Sequence, residues 1–309
     1  MSSNDLIRRS TLIIPVNKQK FIDKAWLRRA DAIQLDLEDS IPENEKDSAR
    51  KLIKKSIKNV GRGGSSVLVR INSEERHLEA DLQASIWNGL HAIVIPKVET
   101  VTQVKNVENT ITIMEKERNI EVGSIKIGIL IETAKGFNNM RELTTCSERI
   151  ESVNLGTEDF LLDIEAELIS GDELFYPKFQ TVINAKAAKI QPIGLLNSMI
   201  NFRDLEGLKK NAKRSYKLGF KGASCIHPSQ VEVLNNFFMP SPEEVSYAQQ
   251  VIKVYEKAQE EGSSATKLDG KMIDTPIAEK AYRVMKRKEA IDCFEMEKDR
   301  QINSKLELK

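Results

Sequence analysis

Short apolar or alternating runs recur along the chain, each followed by a turn and then an amphipathic stretch. The first four are Thr11-Leu-Ile-Ile-Pro15, Ala32-Ile-Gln-Leu-Asp-Leu37, Val67-Leu-Val-Arg-Ile71 and Ala92-Ile-Val-Ile-Pro96. Four more lie at 125–131, 152–155, 190–196 and 222–226. Their length and turn-rich borders predict eight strands. The stretches between them have helical spacing. Ala49, Leu52, Ile53 and Ile57 share one face, as do Val101, Val104, Ile111 and Met114. Leu205, Leu208, Ala212 and Tyr216 form another such face, stopped by Gly219. Strands alternating with helices imply parallel pairing through right-handed crossovers. Eight such units predict an α/β chain folded as a (β/α)8 TIM barrel, a fold of roughly 250 residues. An open doubly wound sheet would need a phosphate loop after its first strand, and Pro15-Val-Asn-Lys-Gln does not supply one.

The pattern changes near residue 240, so residues 1–240 are read as the barrel and 241–309 as a C-terminal helical lid extension. Pro240-Ser-Pro-Glu-Glu opens a helix that runs to about Glu261. Gly262-Ser-Ser-Ala-Thr-Lys reads as a flexible loop, Gly270-Lys-Met-Ile-Asp274-Thr-Pro as a turn, and a last helix follows. The charged tail, 286–309, is expected to fray. The segment is too small for a core of its own, so it is expected to pack on or over a barrel.

Composition narrows the function. The 309 residues hold 47 Lys+Arg against 46 Asp+Glu, and this balance leaves no electrostatic footprint for nucleic acid. No apolar run is long enough to span a membrane. The opening Met1-Ser-Ser-Asn-Asp-Leu lacks a signal layout, so a cytoplasmic location is expected. Cys146, Cys225 and Cys293 are scattered, as are His77, His91 and His227. Neither disulfides nor a His/Cys metal site is expected, and any metal must be held by carboxylates.

In a parallel barrel the C-terminal strand ends carry the chemistry. Strand 2 ends in Asp36-Leu-Glu38-Asp39, strand 3 contains Arg70, strand 5 ends in Glu132, and strand 6 runs into Gly156-Thr157-Glu158-Asp159. A lone strand-end carboxylate is ordinarily a cap or surface group. Several at one mouth are costly unless a cation or proton separates them. The cation expected is Mg2+, held by Glu132 and Asp159 and completed by waters and substrate oxygens. The Gly156, Thr157, Glu158, Asp159 turn leads into a helix whose free N–H groups would bind a substrate carboxylate beside the ion. Arg70 is either an edge arginine facing solvent or an inward fork for a developing enolate oxygen. His227, in Ile-His-Pro-Ser-Gln230, is either catalytic or a structural residue ahead of a helix-starting proline.

Taken in order, these segments resemble a known family. Thr11-Leu-Ile-Ile-Pro, Ala30-Asp31-Ala-Ile-Gln-Leu-Asp-Leu-Glu-Asp-Ser40 with Lys46 and Ala49-Arg50, and Val69-Arg70-Ile-Asn72 open the match. Ile95-Pro-Lys97-Val-Glu99, Ile131-Glu132-Thr, Gly156-Thr-Glu-Asp159, Leu218-Gly-Phe-Lys-Gly222, Ile226-His-Pro-Ser-Gln-Val231 and Gly270-Lys-Met-Ile-Asp274-Thr-Pro continue it. The combination is similar to the citrate lyase β-subunit-like proteins of the HpcH/HpaI aldolase/citrate lyase superfamily. The resemblance implies a (β/α)8 barrel with a C-terminal lid, Mg2+ and acyl-CoA thioester substrates. It places Glu132 and Asp159 on the metal carboxylates, Arg70 at the reacting oxygen, and Asp36 and Glu38 on the acidic pair near the metal. Asp274 falls on a lid aspartate that reaches a neighbouring subunit's site, which implies a homo-oligomer, a trimer or hexamer, with Asp274 acting in trans. The other reading of Asp274 is an N-cap for the final helix.

The chain departs from the family pattern in three places. Pro-Gly-x-x-Pro in the first loop is Pro15-Val-Asn-Lys-Gln, Tyr-Ala-Arg after strand 6 is Tyr176-Pro-Lys178, and an aspartate after strand 7 is Gly194. The expected activity is Mg2+-dependent carbon–carbon cleavage of a malyl-, citramalyl- or citryl-type 3-hydroxyacyl-CoA to a 2-keto acid and an acyl-CoA through an enolate. The alternatives are a malyl-CoA thioesterase, a condensing enzyme, a citrate lyase β subunit acting on an acyl-carrier protein, a short pyruvate aldolase, and a non-catalytic acyl-CoA-binding subunit.

Overall fold

The computed structural model describes residues 6–168, 173–197 and 201–307. All eight predicted strands are present: β1 (Ser10–Pro15), β2 (Ala32–Asp36), β3 (Ser66–Arg70), β4 (Ala92–Ile95), β5 (Lys126–Ile131), β6 (Ile150–Leu155), β7 (Gln191–Ile193) and β8 (Ala223–Cys225). They pair in parallel in the order β7-β6-β5-β4-β3-β2-β1-β8. A bridge between Ile193 and Gly222 joins the two ends, and the Gly194 N–H donates to the Gly222 carbonyl at 2.8 Å. The predicted (β/α)8 barrel is therefore the fold found.

Alternation along each strand builds two apolar layers. Outward residues such as Ile33, Leu35, Val67, Val69 and Ile93 join a large cluster beneath the surrounding helices. Inward, Ala32, Leu68 and Ala92 form a separate small cluster with Val94. This is the packing a closed parallel barrel requires. The surrounding helices begin with α1 (Gln19–Ala25), α2 (Lys46–Gly61), α3 (Glu75–Ser85), α4 (Val101–Glu117), α5 (Ala134–Asn138) and α6 (Met140–Leu143). They continue with α7 (Thr157–Asp163), α8 (Phe175–Ala187), α9 (Leu205–Leu218) and α10 (Pro228–Phe237). Strand β7 is shorter than its sequence suggests. The chain turns away at Gly194 (φ 153°), and the Leu196 N–H goes to Ser215 Oγ at 2.9 Å rather than to a neighbouring strand.

The chain divides into two compact units, residues 1–238 with 298–309, and residues 239–297. The second unit contains α11 (Pro242–Glu260) and a two-stranded hairpin, β9 (Thr266–Leu268) and β10 (Lys271–Ile273). The hairpin corrects the expectation of a loop and turn. Asp269 and Gly270 adopt φ of 50° and 75°, the left-handed pair that a tight two-residue hairpin demands. The unit also has a small core of its own, contrary to expectation: Ala248, Val251, Tyr255, Ile273, Ala278 and Ala281 are buried together.

The described part of the tail is helical through Leu306, contrary to the expected fraying. Helix α12 (Thr275–Leu306) runs through it, and Lys298 is fully buried with its Nζ 2.8 Å from Asp31 Oδ1. Among the described residues, no helix is long and apolar enough to cross a membrane.

Candidate active site

Strand register assembles the barrel mouth. Asp36 is the cross-strand partner of Arg70 in the β2–β3 pair, and alternation turns both inward. Arg70 Nε and Nη2 donate to Asp36 Oδ1 and Oδ2 at 2.7 and 2.9 Å, a bidentate fork. Its Nη1 donates to Asp39 Oδ2 at 3.0 Å and lies 2.9 Å from Glu38 Oε2, an ion-pair contact outside hydrogen-bonding geometry. The solvent-facing alternative for Arg70 is thereby excluded. Burial pushes the Asp36 carboxyl up, but the Arg70 fork outweighs it, with the Ser40 and Glu38 N–H groups adding, and holds the group below the usual carboxylate range. Below this turn the buried Lys46 donates to the Leu37 and Glu38 carbonyls at 2.8 and 2.7 Å.

Strands β5 and β6 supply the other half. Their register sets Ile131 beside Leu155, so Glu132 and Gly156 leave the barrel side by side. A Cβ at Gly156 would lie 2.7 Å from both Cγ and Oε1 of Glu132, so only glycine leaves room for this carboxylate. Glu132 Oε2 accepts the Lys97 N–H at 3.0 Å, which a left-handed backbone at Lys97 (φ 49°) aims at it. Asp159 follows in the first turn of α7, its Oδ1 3.5 Å from Lys97 Nζ. Arg70, Glu132, Gly156, Thr157, Glu158 and Asp159 line one cavity of about 320 Å³.

The electrostatics of this mouth are strained. Burial, with Asp159 adding, lifts Glu132 to about 7. Burial lifts Glu38 to about 8, with Asp39 and Glu132 raising it further and Arg70 only partly opposing. Among the described residues neither Glu38 oxygen has a hydrogen-bond donor. Burial works to lower Lys97, yet Glu38, Asp159 and Glu132 outweigh it and hold the ammonium above its ordinary value. Carboxylates raised by desolvation and mutual repulsion, with orphaned oxygens, fit a hard divalent cation. Among the described residues no three His, Cys, Asp or Glu side chains converge as a complete ligand set. A site here would be a two-carboxylate site that keeps open positions.

The structure thus brings together Asp36, Glu38, Arg70, Glu132 and the Gly156–Asp159 turn. Asp274 belongs to the second unit, where its Oδ1 accepts the Ile277 N–H at 3.3 Å, the capping geometry. His227 caps α10 through Nδ1, which accepts from the Ser229 N–H at 3.2 Å, and its ring stacks on Phe202; this is the structural reading. Sequence reasoning gave no role to Lys97 or to the basic residues of α1 and the 3-10 turn after it. Lys20, Lys24 and Arg28 recur every four residues and line a second cavity of about 290 Å³ beside Ile13, Ile226 and His227. That spacing was the available signal.

A closed parallel barrel whose C-terminal mouth gathers carboxylates around a clamped arginine defines a (β/α)8-barrel enzyme site open to a divalent metal. Residues 9–228 match HpcH/HpaI aldolase/citrate lyase, and the chain belongs to that family. It is 34% identical to the citrate lyase subunit beta of Leuconostoc mesenteroides subsp. cremoris, covering 92% of this chain and 94% of that protein. It is 31% identical to the mitochondrial citramalyl-CoA lyase of Rattus norvegicus, covering 90% and 85%. Protein CitE from Mycobacterium tuberculosis, solved in complex with magnesium, acetoacetate and coenzyme A, shares the fold. It superposes with a TM-score of 0.74 at 23% identity, covering 92% of this chain and 99% of that one.

Proposed function

We propose that the protein is a Mg2+-dependent carbon–carbon lyase acting on a 3-hydroxyacyl-CoA thioester. The convergence of Glu132, Asp159 and Arg70 on one cavity, with Glu132 lifted to about 7 and Glu38 to about 8, carries this reading. Glu132 and Asp159 are the ligands we assign to Mg2+; when bound, it supplies Lewis acidity that lowers the pKa of a chelated substrate hydroxyl. The N–H groups of Thr157, Glu158 and Asp159 and the Thr157 side chain orient the substrate carboxylate; the Gly156 N–H is held by the Ile131 carbonyl at 2.8 Å.

Glu38, buried and without a hydrogen-bond donor among the described residues, takes the hydroxyl proton. The carbon–carbon bond then breaks, the oxygen-bearing carbon becoming the carbonyl of a 2-keto acid and the bond's electron pair passing to the thioester as an enolate. Arg70 is held by Asp36 so that Nη1, shared between Glu38 and the exposed Asp39, can turn to the enolate oxygen. Asp274 returns a proton to the enolate carbon; we assign this role to a neighbouring copy's Asp274 in a homo-oligomer. Two cations of α1, Lys20 and Lys24, and Arg28 in the 3-10 turn that follows support the CoA part of the substrate, since three cations lining a cavity suit its phosphates.

The test is a cleavage assay over a panel of malyl-, citramalyl- and citryl-CoA with keto-acid detection, with and without chelator. Cleavage of at least one thioester is expected, and chelator should abolish it. Glu132→Gln should also abolish it and weaken Mg2+ binding measured calorimetrically, while leaving the circular dichroism spectrum unchanged. Wild-type Mg2+ affinity in this variant would remove Glu132 from the ligand set.

A further inference from the structure

Lys178, on the inner face of α8, is 2% exposed, and the mechanism above does not use it. Among the described residues its one hydrogen-bond acceptor is the Leu155 carbonyl at the end of β6, 2.6 Å from Nζ. An ammonium has three donors, so among the described residues two remain without an acceptor. A buried cation in this position is costly unless an anion meets it. Its side chain lines a cleft of about 380 Å³ that opens where β7 is cut short, between the ends of β6, β7 and β8. Asn154, Thr157, Asn197 and Ser224 add neutral polar side chains to the lining. Its acidic group, Glu158, is solvent-exposed, where its charge is screened. Cys225 also lines the cleft, and burial pushes that thiol up to about 12, so it remains a neutral wall.

The cleft adjoins the mouth cavity. Asn154, Gly156, Thr157, Glu158 and Ser224 line both. A substrate chelated at Glu132 and Asp159 therefore has a side chamber beside it, with one buried cation in its wall and hydrogen-bonding groups around it.

We propose that Lys178 is a specificity-determining residue: it receives a second carboxylate of the acyl group, one not engaged at the metal, in the cleft between β6, β7 and β8. The assignment rests on the lyase reading above and narrows its substrate class to 3-hydroxyacyl thioesters with an additional carboxylate, citryl-type rather than malyl-type. Burial holds the Lys178 amine down at about 7, opposed only by the charge of Glu158, and a carboxylate in the cleft would favour the ammonium.

The experiment compares wild type with Lys178→Met and Lys178→Gln. Methionine keeps the length of the stem and removes the charge; glutamine removes the charge but keeps a donor for the Leu155 carbonyl. Calorimetric binding of oxaloacetate and of pyruvate, both with Mg2+, asks whether the second carboxylate is read. Cleavage of citryl-CoA and malyl-CoA asks the same of turnover. Wild type should prefer the dicarboxylate, and both variants should lose about 10²-fold for oxaloacetate and citryl-CoA with pyruvate and malyl-CoA changed about threefold or less. Equal losses on both ligands, or a preference restored by glutamine, would reduce Lys178 to a brace for the Leu155 turn and overturn the proposal. A wild type without preference would overturn it as well. If no thioester is cleaved, the lyase reading fails while the oxaloacetate–pyruvate comparison still decides the site.

Discussion

The guanidinium of Arg70 is fixed on two sides by Asp36, which leaves Nη1 as its adaptable corner. A lysine keeps the charge but cannot reproduce the two-point fork, so it would swing between Asp36, Glu38 and Asp39. Arg70→Lys is expected to lower kcat by about 10²-fold or more, the usual cost of losing a positioned oxyanion donor, with a modest change in KM. Steady-state kinetics on the cleaved thioester decide it, and an unchanged kcat would make Arg70 a structural clamp for the β2 turn. At this scale much of the site was legible. The period of two along β2, β3 and β5 carries Asp36, Arg70 and Glu132 to the inner face whatever the rest of the chain does. Lys97 was not legible, because its part depends on a left-handed backbone at one residue and on the approach of Asp159 from another strand end.

At the scale of elements, the departures concentrate where short stretches rely on distant partners. Strand β7 looks apolar from 190 to 196 but pairs only over Gln191–Ile193, and the opening this leaves becomes the Lys178 cleft. Two of the three departures from the family pattern, Lys178 and Gly194, line that cleft together. The end of α12 shows the opposite error. Its charges suggested fraying, yet Lys298 and Arg9 both meet the fully buried Asp31, Arg9 through Nε and Nη2 at 2.7 and 2.8 Å. Burial pushes the Asp31 carboxyl up, but Arg9 and Lys298 outweigh it and hold it low. Lys298→Met retains the stem and leaves Arg9 on Asp31 but removes the bonds to Asp31 Oδ1 and the Arg29 carbonyl, so it should lower unfolding stability by about 2–4 kcal/mol, the value of one hydrogen bond to a charged partner and one to a carbonyl. Urea unfolding measures this; an unchanged midpoint would mean that the last turns of α12 add nothing to the barrel.

At the scale of the whole molecule, the two ends of the barrel treat the same residue type in opposite ways. At the N-terminal end the Glu151 side chain is 12% exposed, yet Arg8 at 2.7 Å and His91 at 2.8 Å outweigh its desolvation and hold it at about 2. At the C-terminal mouth, burial without enough cations lifts Glu132 and Glu38 instead. Stability chemistry and reaction chemistry are thus separated along one axis. Whether the site is completed by another copy is tested by mixing inactive Asp274→Asn with inactive Glu132→Gln protomers under subunit exchange. Partial recovery of cleavage is expected, because some interfaces would pair an intact Glu132 with an intact Asp274; no recovery despite proven exchange would rule out the trans arrangement. The sequence alone determined the barrel, its strand order and the strand-end carboxylates, since local periodicity and the handedness of parallel crossovers leave few other solutions. Only the tertiary structure decided which charges are paired and which are left bare: Lys298 against Asp31, Glu151 against Arg8, Glu38 without a donor, Lys178 facing a cleft. Burial and partner distance set those states, and both arise from residues far apart in the chain.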